Sequence, residues 1–122
     1  MTTATDEQTG RHLVYIADPM CSWCYGFAPV MEEIARRLDG AVPIHVVMGG
    51  LRPGETRVSR QKDFDYLRSA WARVHEASGQ PFGTAFFDRE SFVYDTEPAS
   101  RAVVTLRHVF PAEALAFLGR LS

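Results

Sequence analysis

The chain has 122 residues, 46% hydrophobic and 23% charged, the make-up of one globular domain. Its thirteen Lys and Arg are scattered among fifteen Asp and Glu, and the formal net charge of -2 gives no electrostatic ground for a nucleic acid or an anionic membrane as partner. No apolar run reaches the roughly eighteen residues a membrane-spanning helix needs.

Met1 to Gly10 is polar and carries Asp6 and Glu7, without the positive start and apolar stretch of a secretory signal. It is expected to be a disordered tail. With no export signal the expected compartment is the cytoplasm, where thiols are kept reduced and a cysteine pair is read as catalytic or redox-sensing rather than as a structural staple.

His12 to Ala17 (HLVYIA) is a short β-rich run and is expected to be a buried strand, ended by Asp18 and Pro19. From Cys21 to Leu38 the period becomes helical. Phe27, Val30, Met31, Ile34 and Leu38 share one face and Glu32, Glu33, Arg36 and Arg37 the other, with Gly40 as the stop. Val42 to Met48 reads as a second buried strand. Strand, helix and strand within about 38 residues make a βαβ unit with parallel strands.

The loop Gly49-Gly50-Leu51-Arg52-Pro53-Gly54 follows. A second helix is expected over Arg60 to Ala77, with Phe64, Leu67, Trp71 and Val74 at three-four spacing and Trp71 in the core. Gly79 and Pro81 close it, and Phe82 to Asp95 reads as a Phe-rich turn or short helix. Thr96 can cap a third helix, with Glu97 and Pro98 in its first turn and Val103, Leu106 and Phe110 on its apolar face. Pro111 interrupts before a last short helix, Ala112 to Leu121. Two strands make a poor sheet, and the chain stops inside an apolar helical pattern at Gly119-Arg120-Leu121-Ser122, so it reads as shorter than the fold it begins. An exposed sheet edge offers a route to a homodimer.

The only two cysteines, Cys21 and Cys24, are spaced C-x-x-C where the strand gives way to the helix. A thiolate, not a thiol, attacks a disulfide. At a helix start the free N–H groups of Ser22, Trp23 and Cys24, with the helix dipole, favour that charge. Cysteines so placed titrate between about 3.5 and 7.5. Cys24 is one turn further in, close enough to form the disulfide. Three other readings compete. Zinc would need two more ligands, and of His12, His45, His75 and His108 no two are three to five residues apart. Haem attachment would need histidine where Tyr25 stands. Two inert core thiols remain an alternative.

The segment Asp18-Pro19-Met20-Cys21-Ser22-Trp23-Cys24-Tyr25-Gly26-Phe27 resembles the active-site motif of DsbA-like proteins of the thioredoxin superfamily, closest to the cytoplasmic group described as predicted protein-disulfide isomerases. Pro29, five residues after Cys24, is similar to the helix-kinking proline of that superfamily, and Phe92 to Ala102 (FVYDTEPASRA) to a helical insertion in the same branch. The resemblance implies an α/β fold: a thioredoxin-like βαβ half over residues 11–59, an incomplete helical insertion over 60–122, and a C-terminal ββα half, with its cis-proline, absent from this chain. It also implies Cys21 as nucleophile and Cys24 as resolving thiol in a protein-disulfide oxidoreductase. Its partners would be disulfide-containing proteins or glutathione-type thiols, and it would use no metal or organic cofactor.

Asp18 could relay a proton during resolution if buried; the plainer expectation is a helix cap or a solvated carboxylate. Trp23, expected to be exposed, and Tyr25 could line a peptide surface beside the disulfide; Tyr25 and Phe27 could equally be packing residues. The Gly49-Gly50 turn with Arg52 could hold a carboxylate, or be a turn followed by a solvated arginine. Two alternatives to the disulfide oxidoreductase stand beside it: a non-enzymatic redox-sensing adaptor that docks a partner on the thioredoxin-like surface, and, as an enzyme, a glutathione-dependent relative of kappa-class transferase type. The latter usually carries serine at this site.

Overall fold

The structure, a computed structural model, describes residues 10–122. The tail expected over residues 1–10 lies outside it except for Gly10. β1 (Leu13–Ala17) and β2 (Ile44–Met48) pair in parallel, Leu13 opposite Ile44 and Ala17 opposite Met48, and α1 (Ser22–Leu38) connects them. The βαβ unit is therefore formed. β2 begins later than Val42 because Pro43 has no N–H to give; its carbonyl instead accepts the Leu13 N–H at 2.9 Å. α1 ends at Asp39, which adopts a left-handed φ of 47° and donates its N–H to the Ala35 carbonyl at 3.1 Å.

Past the loop, β3 (Val58–Arg60) pairs antiparallel with β4 (Ser91–Val93) in a second two-stranded sheet that the sequence reading did not contain. Three residues per strand are too few to show a period of two. Arg60, expected to open the second helix, is the last residue of β3; the Asp63 carboxylate accepts the Arg60 N–H at 2.9 Å, and a 3₁₀ turn intervenes. α2 (Phe64–Ser78) follows, then a 3₁₀ turn at Ala85–Asp88 inside the Phe-rich stretch. α3 (Glu97–Val109) and α4 (Ala114–Leu121) complete the chain, separated by the turn at Pro111–Glu113. Thr96 precedes α3 without capping it. Its buried hydroxyl accepts the Arg52 N–H at 3.0 Å, and the Asp95 carboxylate takes the Glu97 N–H.

The core sits on one face of the first sheet. Ala17 and Val46 meet Val103 of α3 and Ala114 and Leu118 of α4, with Tyr15, Cys24 and Met48 packed at its margin. Arg107 of α3 donates to the Val46 carbonyl at 2.7 Å, tying helix to strand. The other face corrects the expectation of buried strands: Val14 and Val47 are exposed and Ile16 is 65% exposed. A strand is covered on both faces only when a layer lies over each, and among the described residues nothing lies over this one. On α1 only Met31 of the expected apolar stripe is buried, with Phe27 and Val30 exposed. α1 and α2 meet at Gly26, where a Cβ would stand 2.6 Å from Cγ1 of the buried Val74, so only glycine allows this approach.

Candidate functional site at the start of the first helix

Cys21 is the N-cap of α1, with extended backbone (φ -90°, ψ 120°) and no side chain capping the helix. Its carbonyl accepts the Tyr25 N–H at 3.1 Å, the first helical bond, while the N–H groups of Trp23 and Cys24 turn toward its sulfur. Cys21 and Cys24 are free thiols 3.6 Å apart. The Cys21 thiol is lowered to about 6, first by the hydrogen bond from the Cys24 thiol, then by the Cys24 and Trp23 amides, against burial and the charge of Asp18. Cys24 moves the opposite way, because the same hydrogen bond and its burial hold its proton. One sulfur carries the charge and its neighbour the proton. That division is what nucleophilic attack followed by resolution requires.

The turn before Cys21 is held from two sides. Asp18 is only 3% exposed, and its two carboxylate oxygens accept the Met20 N–H at 2.8 Å and the Leu51 N–H at 2.9 Å. It neither caps the helix nor faces solvent, which corrects the plainer expectation: the helix start is left to the thiolate, and the Asp18 carboxylate satisfies loop amides instead. From the opposite side the Tyr94 hydroxyl, 74 residues along the chain from Met20, donates to the Met20 carbonyl. Burial, then the nearby Cys21 charge, pushes the Tyr94 phenol up to about 12. Tyr15 is likewise raised to about 12, by burial first and then by the cysteines. Neither tyrosine stands out as a site residue in the sequence.

Pro29 lies within α1 and has no N–H for the carbonyl one turn earlier, that of Tyr25. Gln80 supplies the missing donor from its side-chain amide at 3.1 Å. The Tyr25 hydroxyl in turn donates to the Pro81 carbonyl at 2.5 Å, and its ring meets Phe82 edge-on at 5.0 Å. The segment after α2 is thereby fastened beside the cysteines. Trp23 is 52% exposed, as expected. The amides of Leu51 and Arg52 are taken by Asp18 and Thr96, and the Arg52 guanidinium lies 3.8 Å from Glu55 and 5.8 Å from the Tyr94 ring centre.

A cavity of about 580 Å³ opens beside Cys21, walled by Trp71, Phe82, Phe86, Phe92, Tyr94 and Arg89. Trp71, expected in the core, is half-buried because this cavity lies against it. The signal available in the sequence was the density of aromatics between Phe82 and Tyr94, which says that a cluster forms but not what it faces. Among the described residues no group of three or more His, Cys, Asp or Glu could hold a metal ion, and no helix is long and apolar enough to cross a membrane.

No family profile and no curated protein matches the chain. Solved structures do. It is similar to a candidate protein disulfide isomerase from Nitrosomonas europaea, with a TM-score of 0.77 and 35% identity over 91% of this chain and 52% of that one. It is similar also to the cytosolic disulfide reductase DsbM from Pseudomonas aeruginosa (TM-score 0.73, 28% identity, 90% of this chain and 52% of that one). A structure of the same reductase with glutathione gives a TM-score of 0.66 at 29% identity, with the same shares covered. The chain spans about half the length of the proteins it matches.

Proposed function

This chain is DsbA-like within the thioredoxin superfamily, and from that premise we propose that it is a thiol–disulfide oxidoreductase with Cys21 as nucleophile and Cys24 as resolving thiol. The observation that carries the reading is a thiolate-favouring cysteine at the N-cap of α1, 3.6 Å from a proton-bearing partner and open to a cavity. The Cys21 thiolate attacks one sulfur of a substrate disulfide. A Cys21–substrate bond forms and the first substrate thiolate leaves. Cys24 passes its proton to the substrate thiolate already released and attacks the Cys21 sulfur, so the Cys21–Cys24 disulfide forms and the second substrate sulfur departs as thiolate. Two electrons pass to the substrate, and the reverse order gives oxidation.

Asp18 acts by holding the Met20 and Leu51 amides, Pro29 by leaving the Tyr25 carbonyl for Gln80, and Trp23 as an exposed aromatic beside the disulfide. The substrates are protein disulfides or glutathione-type thiols, a reading supported by the similar reductase described with glutathione. The cytosolic description of that reductase likewise supports a cytoplasmic site of action. The outer edge of the β1–β2 sheet is where a second copy of the chain would pair.

Insulin reduction, followed by turbidity, tests the reading. Wild type is expected to precipitate the insulin B chain in the presence of dithiothreitol faster than the reductant alone. Cys21→Ser is expected to fall to the background rate, and Cys24→Ser to accumulate a mixed disulfide. Equal rates in wild type and Cys21→Ser would end the catalytic proposal.

A further inference from the structure

We propose that the aromatic cavity beside Cys21 is a specificity pocket for a peptide disulfide, taking an aromatic side chain next to the substrate cysteine and pairing an acidic group with Arg89. The inference rests on the oxidoreductase reading and adds what that reading leaves open, the kind of disulfide preferred.

Three observations carry it. The first is place: Cys21 and its neighbours Met20 and Ser22 form part of the cavity wall, so whatever bonds to the Cys21 sulfur lies at the cavity mouth. The second is size and chemistry. At about 580 Å³ the space falls within the range of ligand sites, and its walls are mainly ring faces and edges. Trp71 lies 5.3 Å from Phe82 and 5.5 Å from Phe86, and Phe86 lies 5.0 Å from Phe92, measured between ring centres. Such walls favour a further ring in offset or edge-on contact. The third is charge. Arg89 is the one cationic side chain on the wall, and no Asp or Glu side chain lines it. Its guanidinium lies 5.6 Å from the Phe86 ring centre and 5.7 Å from that of Phe92, and among the described residues it forms no ion pair with a carboxylate. A carboxylate on the occupant would meet a cation already steered to the rim by two rings.

The pocket is held in register with the nucleophile by contacts that do not involve the substrate. The Tyr25 and Gln80 bonds fasten the segment bearing Phe82 to α1, and the Tyr94 hydroxyl fastens the opposite wall to Met20. A mixed disulfide on Cys21 would therefore present its flanking residue to walls already in place, which is what makes selection by shape affordable in binding energy.

The test uses the reduced 122-residue chain and three symmetrical disulfides: a dimer of acetyl-Phe-Cys-Asp-amide, a dimer of acetyl-Ala-Cys-Ala-amide, and glutathione disulfide. Released thiol is measured by chromatography under single-turnover conditions. The Phe-Cys-Asp dimer is expected to react faster than the Ala-Cys-Ala dimer by about tenfold or more, the scale on which an apolar pocket discriminates. Phe82→Ala is expected to shrink that ratio through the aromatic residue, and Arg89→Gln through the acidic one. Arg89 is exposed, so this second variant keeps the test valid should Phe82→Ala fail to fold. Tyr66→Ala, on an exposed position of α2 away from the cavity, is expected to leave the ratio unchanged. Equal rates for the two peptides, or faster reduction of glutathione disulfide, would overturn the pocket while leaving the oxidoreductase reading intact. No reaction with any of the three disulfides would remove both.

Discussion

The ionisation of Cys21 depends on a neighbour as much as on the helix. The Cys24 thiol is the first cause of its lowered pKa, with the amides of the first turn adding to it. Alkylation of the reduced protein by iodoacetamide is therefore expected to rise with pH around a midpoint near 6, with Cys21 as the site modified. In Cys24→Ala the midpoint is expected to move up toward the ordinary thiol range while remaining below it, since the amides stay. A midpoint unmoved by that substitution would mean that the helix start alone sets the charge. Asp18 works against the thiolate rather than for it, because its charge raises both cysteines; its value lies in holding the turn.

Pro29 and Gln80 join one helix to the segment that follows another. The proline leaves the Tyr25 carbonyl without its helical donor, and Gln80 fills the place. Gln80→Ala is expected to cost about 1 kcal/mol in chemical denaturation, the ordinary net worth of a hydrogen bond. The same substitution in a Pro29→Ala background is expected to cost less, because the alanine at 29 restores the backbone donor. Additive losses in this double-mutant cycle would show that the two residues are not coupled. A proline five residues after the second cysteine was legible as unusual in the sequence. Its partner was not, since nothing local marks Gln80 out from any other polar residue after a helix.

For the whole molecule, the thiolate links folding stability to pH. A group whose pKa is lower folded than unfolded adds stability that is fully present above its unfolded pKa and lost as pH falls through its folded one. For Cys21 that window runs from about 9, the unperturbed value, down to about 6. Cys24, raised on folding, acts in the opposite sense only as pH climbs past the ordinary thiol range. The stability gap between the reduced protein and Cys21→Ala is thus expected to widen from pH 5 to pH 8 in urea titrations. A gap independent of pH would place no ionised sulfur in the folded state.

The strand–helix–strand unit, the loop that follows it and the helix breaks at Gly79 and Pro111 were written in short-range patterns: period, glycine, proline. So was the chemical pair, because C-x-x-C at a helix start carries its own electrostatic argument within a few residues. What only the tertiary structure decided is everything joined across distance. The β3–β4 pairing has too few residues to leave a pattern, Tyr94 reaches Met20 over 74 positions, and Asp18 turns inward to the Leu51 amide rather than outward to a cap. Burial belongs to the same class. Ile16 and Val14 have the composition of a buried strand, yet the outer face of that strand stays open, because burial depends on which layer comes to rest against it and not on the side chain itself.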